Sequence, residues 1–227
     1  MPGEILSTIP ECINLISDSI YNSSIMNINQ LDENIRKLAA QQNVLGWNFF
    51  DFFLTKESKA LTLSDLGLLS EALVSYDELE TLFLDIYLHG KAAAKFNSIL
   101  PVDSKINGSD LSQTNWVRYR ELMHQNQISL YEFRVYLLSR QIHILRELKD
   151  YVQLLSRCKE FVCQSVFIAY VDNKMKCEWT LDVIFFILKM IDFDPIIVDN
   201  NQELSDTLSE ILILADSNVK IYFAFFI

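Results

Sequence analysis

Half of the 227 residues are hydrophobic, and only five Gly and four Pro are present, so the chain can bury a large core but has few residues for tight turns. A formal net charge of -11 and a sequence pI near 4.7 mean that most of the surface would repel a phosphate backbone, which excludes nucleic acid as an expected partner. The sequence contains neither the run of about eighteen apolar residues that a membrane-spanning helix needs nor a secretory signal at its start.

Helices are predicted from the first residues onwards. The N-terminal forty residues hold two short candidates, around Pro10 to Tyr21 and Ile28 to Gln42. Between Trp47 and Leu66, mainly apolar side chains recur at three-and-four spacing, which places them along one face of a helix.

A second helix should follow after a short turn at Leu66-Gly67-Leu68. Ser70 is the expected N-cap and Gly90 the expected end of this helix. One of its faces carries Ala72, Tyr76, Leu79, Phe83 and Ile86. Two such helices cannot bury their apolar faces alone, so we expect an antiparallel hairpin that packs on neighbouring helices. The order Leu66, Gly67, Ala72 and Tyr76 is also similar to a tetratricopeptide repeat, although only one copy is present.

The segment from 97 to 116 is rich in Pro, Gly, Ser, Asn and Asp, which predicts a long loop. Helix should resume at Ser129, because Glu132 stands three residues later in a capping-box arrangement. Three more helices are predicted at Tyr151 to Tyr170, Thr180 to Ile191 and Glu203 to Asp216. The end of the chain, from 218 to 227, has a β-prone composition.

These elements predict an all-α fold in which antiparallel helical hairpins stack as an α-solenoid of the tetratricopeptide type. The expected organisation has three parts: N-terminal helices in 1–44, a solenoid core in 45–172 that includes the loop 97–116, and C-terminal helices with an apolar tail in 173–227. We interpret the chain as a fragment or a shortened form of a longer protein.

No catalytic or cofactor-binding constellation is found in the sequence. His89, His124 and His143 are far apart, and none stands in a metal-binding motif, so surface or boundary positions are the expected ones. Phosphate-binding glycine loops and a nucleophile elbow are also missing. The four cysteines have no CxxC spacing and are interpreted as reduced, packed thiols of a cytosolic protein. We therefore expect no metal, no cofactor and no enzymatic activity.

Lys and Arg outnumber Asp and Glu only between residues 118 and 160. This basic strip consists of Arg118, Arg120, Arg134, Arg140, Arg146, Lys149, Arg157 and Lys159. It could bind an acidic protein or an anionic membrane surface. The favoured interpretation is the solvated side of a helix, since charge runs usually face water.

Three strings of residues indicate a family. They are Asn48 to Ser58 (NFFDFFLTKES), Leu66 to Phe83 (LGLLSEALVSYDELETLF) and Ile128 to Gln141 (ISLYEFRVYLLSRQ). In order and spacing, these strings resemble subunit 10 of the trafficking protein particle (TRAPP) complex, the large subunit of the TRAPP II form. The resemblance covers roughly residues 45 to 165.

The resemblance implies a helical solenoid region within a much longer, non-catalytic scaffold subunit of a vesicle-tethering complex. Other TRAPP subunits would be direct partners and Rab-type GTPases indirect ones, in Golgi and endosomal vesicle-mediated transport. The location implied is cytoplasmic and peripheral to Golgi and endosomal membranes, with a possible peripheral membrane contact. The alternative is an independent tetratricopeptide-like module that binds peptides; an enzyme that acts on a nucleotide or lipid has no residue pattern in its favour.

Six residues of the matching strings have the spacing of core residues: Tyr76, Leu79, Phe83, Phe133, Tyr136 and Leu137. Three charged residues of the same strings, Glu78, Arg134 and Arg140, are candidates for contacts between helices or with a partner. Packing of the hairpins is the favoured explanation for the motifs as a whole.

Overall fold

The computed structural model describes residues 2–88, 115–163, 173–190 and 202–224. These residues form eight α-helices and contain no β-strand, which confirms the predicted all-α fold. The helices are α1 (Pro2–Ala40), α2 (Phe49–Asp65), α3 (Leu69–Leu88), α4 (Trp116–His124), α5 (Leu130–Leu148), α6 (Tyr151–Cys163), α7 (Asn173–Met190) and α8 (Gln202–Ala224). The stacked solenoid arrangement stays a prediction, as does the division into three parts. His89, Gly90 and residues 97–114 of the expected loop lie outside the described residues.

One long helix replaces the two short ones predicted at the N-terminus. α1 runs for 39 residues, and Pro10, expected near a helix start, lies inside it. No Gly or Pro interrupts the chain between Tyr21 and Ile28, and the three-and-four spacing of apolar residues continues across this segment, so the helix has no reason to end there. Pro2 takes the first helical position, where the missing N–H costs nothing.

The chain divides into two compact units, residues 1–83 and 84–227. In the first unit, α1 and α2 lie against each other in opposite directions. The Asn27 amide donates to the Thr62 hydroxyl at 3.3 Å, and Lys59 forms an ion pair with Asp32 at 2.7 Å. At the other end the Trp47 indole donates to the Leu38 carbonyl at 2.8 Å.

The predicted hairpin of α2 and α3 is antiparallel, because residues near the start of α2 contact residues near the end of α3. The Tyr76 hydroxyl bonds the Glu57 carboxylate at 3.3 Å, Lys56 pairs with Glu78 at 2.6 Å, and the Phe49 ring lies 6.2 Å from that of Phe83. Glu57 is fully buried. A phenol that donates to this carboxylate offsets part of the cost of removing its charge from water.

The second unit includes α4, which was not predicted. Its first residue, Trp116, was assigned to the end of the expected loop. Asn115 caps it by accepting from the Arg118 backbone N–H at 3.0 Å, and Tyr119 and Met123 are its buried side chains. α4 packs on α5, α5 on α6, α6 on α7, and α8 on both α6 and α7. The predicted capping box of α5 is confirmed: Ser129 and Glu132 each bond the backbone of the other.

Two of the C-terminal helices are longer than expected. α7 begins at Asn173 rather than Thr180, and α8 continues to Ala224 rather than ending at Asp216. The segment from 218 to 224 is therefore helical, and the expectation of a β-prone tail is wrong for these residues. No Gly or Pro stands between Glu203 and Ala224, so the amphipathic helix continues through the β-branched and aromatic residues.

Three helices end in the same way, with one residue in the left-handed conformation. These residues are Gly67 (φ +76°), Asn126 (φ +53°) and Lys149 (φ +57°). In each case its own N–H and the next one bond carbonyls three and five residues back, a Schellman motif. Ser70 is not the N-cap of α3, because that helix starts at Leu69, directly after the motif at Gly67.

Lys149→Gly should stabilise the chain by about 1 kcal/mol. A side chain in the left-handed conformation is strained, and glycine adopts this conformation without that cost. The reverse change, Gly67→Ala, should destabilise by about 1 kcal/mol through backbone strain alone, because an added Cβ would meet nothing within 4 Å. Urea unfolding of both variants measures these effects, and a less stable Lys149→Gly variant would contradict the strain argument.

Candidate partner-binding surface

The residues of the family strings that have core spacing are core residues. Tyr76, Leu79, Phe83, Phe133, Tyr136 and Leu137 each have 1% or less of their surface exposed. Side chains with no accessible surface cannot meet a partner directly. These six residues of the strings therefore pack the helices together, and any binding surface must be formed by the residues around them.

Arg134 lies inside this core, with 4% of its surface exposed. It shares the buried side of α5 with Leu130 and Leu137, which are four and three residues away along the helix. An enclosed guanidinium fits the contact between helices that was predicted as one of its two roles. It is not available on the surface to a partner.

Glu78 occupies the exposed side of α3. Its carboxylate pairs with Lys56 at 2.6 Å, and 60% of the Glu78 side chain is in contact with solvent. The pair joins α2 to α3, but exposed pairs of this kind contribute little to stability. The carboxylate remains accessible, and its role as a partner contact stays a prediction.

Arg140 forms part of an aromatic and basic cluster that joins α4 to α5. Its guanidinium lies 4.2 Å from the centre of the Trp116 ring, and the His143 ring meets the same indole edge to face at 5.3 Å. The Trp116 indole N–H donates to the Ser139 hydroxyl at 3.0 Å, which in turn donates to the Tyr136 carbonyl at 2.7 Å. Trp116 is thus held on three sides. We call Trp116, Arg140 and His143 the α4–α5 cluster.

The pKa of His143 lies below its ordinary value of 6.5. Partial burial is the main cause, and the positive charge of Arg140 adds to it. Glu147 acts in the opposite direction, and Arg146 makes the smallest contribution, which lowers the pKa further. The ring is therefore mostly neutral near pH 7, and the positive charge of the cluster comes from Arg140.

An NMR titration of the His143 ring should give a pKa below 6.5, which Arg140→Gln raises because a positive neighbour is removed. Arg146→Gln serves as the matched control and should raise it less. Since the unfolded chain binds this proton more readily, the group lowers folding stability as pH falls below about 6.5, until the folded pKa is reached. A His143 pKa at or above 6.5 would contradict the assigned causes.

The basic strip does not form one continuous charged face. Arg118 pairs with Glu132 at 3.0 Å, Lys159 pairs with Glu210 at 2.5 Å, and Arg134 is buried. Arg146 and Lys149 are exposed near the end of α5. The exposed positive charges of α5 therefore lie on its later half.

The four cysteines divide into two kinds. Cys158 and Cys177 are buried, as predicted, and burial raises the pKa of the Cys158 thiol to about 12. Cys12 and Cys163 are exposed, so the expectation that all four thiols are packed is wrong for these two. Cys12 lies in the exposed first half of α1, and Cys163 is the last residue of α6. A cysteine in an apolar sequence is buried only where another helix packs over it.

Across the described ranges, no group of three or more His, Cys, Asp or Glu side chains is placed to hold a metal ion. No helix in the same ranges is long and apolar enough to span a bilayer.

Sequence reasoning missed the two tryptophans that organise the second unit. Trp116 stands at the end of a polar segment, and Trp179 follows the polar run from 172 to 178. The Trp179 indole donates to the Tyr131 hydroxyl at 2.7 Å and its ring packs on Phe161, so it joins α5, α6 and α7. A large aromatic residue beside an Asn cap, as at Asn115, was the signal available for α4.

Comparison with known proteins gives similarity to one group. Trafficking protein particle complex subunit 10 of Dictyostelium discoideum is 29% identical over 147 residues, which is 65% of this chain and 10% of that protein. The subunit 10 of Drosophila melanogaster is 31% identical over 146 residues, or 63% of this chain and 12% of the protein. An Arabidopsis thaliana protein, the trafficking protein particle complex II-specific subunit 130 homolog, is 29% identical over 148 residues, 65% of this chain and 11% of the protein.

No protein-family model matches the chain, and no solved structure matches it. The chain spans about a tenth of the length of the curated relatives it matches. The relatives are named as subunits of a complex and not as enzymes. Over nearly two thirds of its length this chain is similar to a segment of the trafficking protein particle complex subunit 10 family, and the resemblance found in its sequence motifs is confirmed.

Proposed function

We propose that the chain is a non-catalytic scaffold segment of a TRAPP complex, and specifically of the TRAPP II form that tethers vesicles. Its role is to present helical surfaces to other TRAPP subunits. Support for Rab-type GTPase activation at Golgi and endosomal membranes follows from the same proposal, with the exchange reaction assigned to other subunits. The cytoplasmic side of those membranes is the location it requires.

The observation that carries the proposal is the position of the shared motifs in the core. The residues on which the resemblance was recognised, such as Tyr76, Phe83 and Tyr136, are fully enclosed and position α2, α3 and α5. A likeness based on packing residues supports a common helical framework. The similar proteins carry names of complex subunits, which supports a structural role for that framework.

The α4–α5 cluster is the surface that we assign to a partner subunit. An indole held in place by Arg140, His143 and Ser139 needs little further ordering on binding, and Trp and Arg are the side chains most often found at the centre of protein interfaces. The positive charge of Arg140 favours an acidic partner surface. Glu78 would make a separate contact in the first unit.

Copurification tests the proposal. The full chain carries an affinity tag and is expressed together with the small TRAPP subunits, which should elute with it under mild conditions. Arg140→Glu should reduce recovery of the subunits at least tenfold, because charge reversal opposes an acidic partner and removes the contact with Trp116. If the chain elutes alone, the assembly proposal is wrong for this segment.

A matched control and a second readout separate a protein contact from a membrane contact. Lys37→Glu, at an exposed position of α1 in the first unit, should leave recovery of the subunits unchanged. Flotation with anionic liposomes is measured in parallel. Loss of flotation together with unchanged subunit recovery in Arg140→Glu would assign the cluster to a lipid surface instead and overturn its assignment to a subunit. Arg134 is unsuitable for charge reversal, because its burial would make the change one of folding.

A further inference from the structure

The first half of α1 carries an apolar stripe that the described residues leave exposed. We use the name isoleucine stripe for Ile9, Ile13, Ile16 and Ile20. Each of these side chains has between 50% and 60% of its surface in contact with solvent. Their four-, three- and four-residue steps place them on one side of the helix, in the pattern of a coiled-coil seam. Exposed apolar stripes of this regularity mark interaction surfaces.

The isoleucine stripe continues an interface that the chain already forms. Steps of three or four residues lead on from Ile20 to Ser24, Ile28, Leu31, Ile35 and Leu38, and each of these five residues is half-buried. In this second half α1 is covered by α2, which ends at Asp65, soon after the contact of Thr62 with Asn27. α1 extends past this point for more than twenty residues. A helix in line with α2 would therefore cover the isoleucine stripe.

We propose that this helix is the first half of α1 from a second copy of the chain, in antiparallel orientation. The stripe is symmetric about its centre: reversed, it places Ile9 opposite Ile20 and Ile13 opposite Ile16. A two-fold axis through this centre requires that kind of self-complementarity. In an antiparallel coiled coil, the a positions of one helix likewise lie opposite the d positions of the other.

Charge and helix direction fit the same arrangement. The only charged side chains between residues 9 and 30 are Glu11 and Asp18, and helical geometry places both on the side opposite the stripe. Two copies therefore meet without like charges between them. Both α2 and the α1 of the second copy run antiparallel to the first copy's α1, so the positive start of the second copy's α1 points towards the negative end of α2.

Sedimentation equilibrium of the full chain tests the proposal. The wild-type chain should form a dimer of 26.4 kDa subunits in a concentration-dependent manner. Ile13→Glu combined with Ile16→Glu should weaken dimerisation by at least about a hundredfold, since burial of four isoleucines across the two-fold axis is lost. Both changes lie on an exposed helix face and glutamate is a good helix former, so circular dichroism should remain unchanged.

Val74→Glu, at an equally exposed apolar position on α3, is the matched control and should dimerise as the wild type does. A monomeric wild-type chain over the full concentration range would overturn the proposal. So would a dimer that survives the double substitution.

Disulfide formation tests the orientation. The exposed cysteines are first removed by Cys12→Ser and Cys163→Ser. Chains with Ile9→Cys mixed with chains with Ile20→Cys should then cross-link, whereas either variant alone should not. The two positions are eleven residues apart, about 16 Å along a helix, so the test separates the two directions. Cross-linking of Ile9→Cys with itself and not in the mixture would show parallel helices and contradict the antiparallel register.

Discussion

Trp179→Ala should lower the free energy of unfolding by about 3–5 kcal/mol, the range for removal of a large aromatic side chain from a packed interior. Only 4% of Trp179 is exposed, and its ring lies 5.7 Å from that of Phe161 and 6.1 Å from that of Tyr131. The substitution leaves a cavity where α5, α6 and α7 meet. Urea unfolding followed by far-ultraviolet circular dichroism measures the loss.

Two further variants separate the contributions of Trp179. Phe185→Ala, on the same helix but with 71% of the side chain exposed, should change stability by less than about 0.5 kcal/mol. Tyr131→Phe removes the oxygen that accepts from the Trp179 indole and should cost about 1–3 kcal/mol, because a buried donor is left without its acceptor. Equal stability of Trp179→Ala and Phe185→Ala would contradict the central position of Trp179.

Phe49→Ala should have a comparable effect in the first unit, with a loss of about 3–5 kcal/mol. The ring is fully buried at the start of α2, and its centre lies 5.6 Å from that of Phe50, 6.0 Å from that of Phe53 and 6.2 Å from that of Phe83. The Trp47 ring is a fourth aromatic neighbour at 6.3 Å, so the substitution removes contacts with four rings at once. Denaturant unfolding gives the size of the loss.

The controls for Phe49 distinguish volume from ring geometry. Phe49→Leu keeps most of the volume and should cost less than about 1.5 kcal/mol. Val74→Ala, at an exposed position of the same unit, should be close to neutral. If Phe49→Leu were as damaging as Phe49→Ala, the aromatic contacts themselves and not the filled volume would be the dominant contribution.

The sequence predicted those features whose causes are local. The capping box of Ser129 and Glu132 needs only two side chains at fixed spacing, and the turn at Gly67 needs only one residue that tolerates a positive φ. The buried faces of α3 and α5 follow from helical periodicity. For these elements the physical cause lies within a few residues of the chain.

Features that depend on packing between distant residues were not predictable in this way. α4 is only nine residues long and packs through Tyr119 and Met123, with the Tyr119 ring against Tyr136 of α5. For the candidate surface, sequence identified Arg140 but not its indole partner Trp116, because that contact joins two helices.

Arg134 shows the limit of assigning charged residues to the surface. As part of the basic strip it was expected on the solvated side of a helix, but the structure encloses it on the side of α5 that carries Leu130 and Leu137. Helical position was the better guide in this instance than the chemical type of the side chain. Partner contacts at Glu78 and Arg140 stay predictions.

Because the Cys158 thiol is enclosed within α6 and its ionisation is suppressed, the chain carries an internal reporter of conformational opening. An alkylating reagent should modify Cys12 and Cys163 at once and Cys158 only when the second unit opens. The labelling rate of this one sulfur, followed by mass spectrometry, would then measure how often the helices around it separate under native conditions.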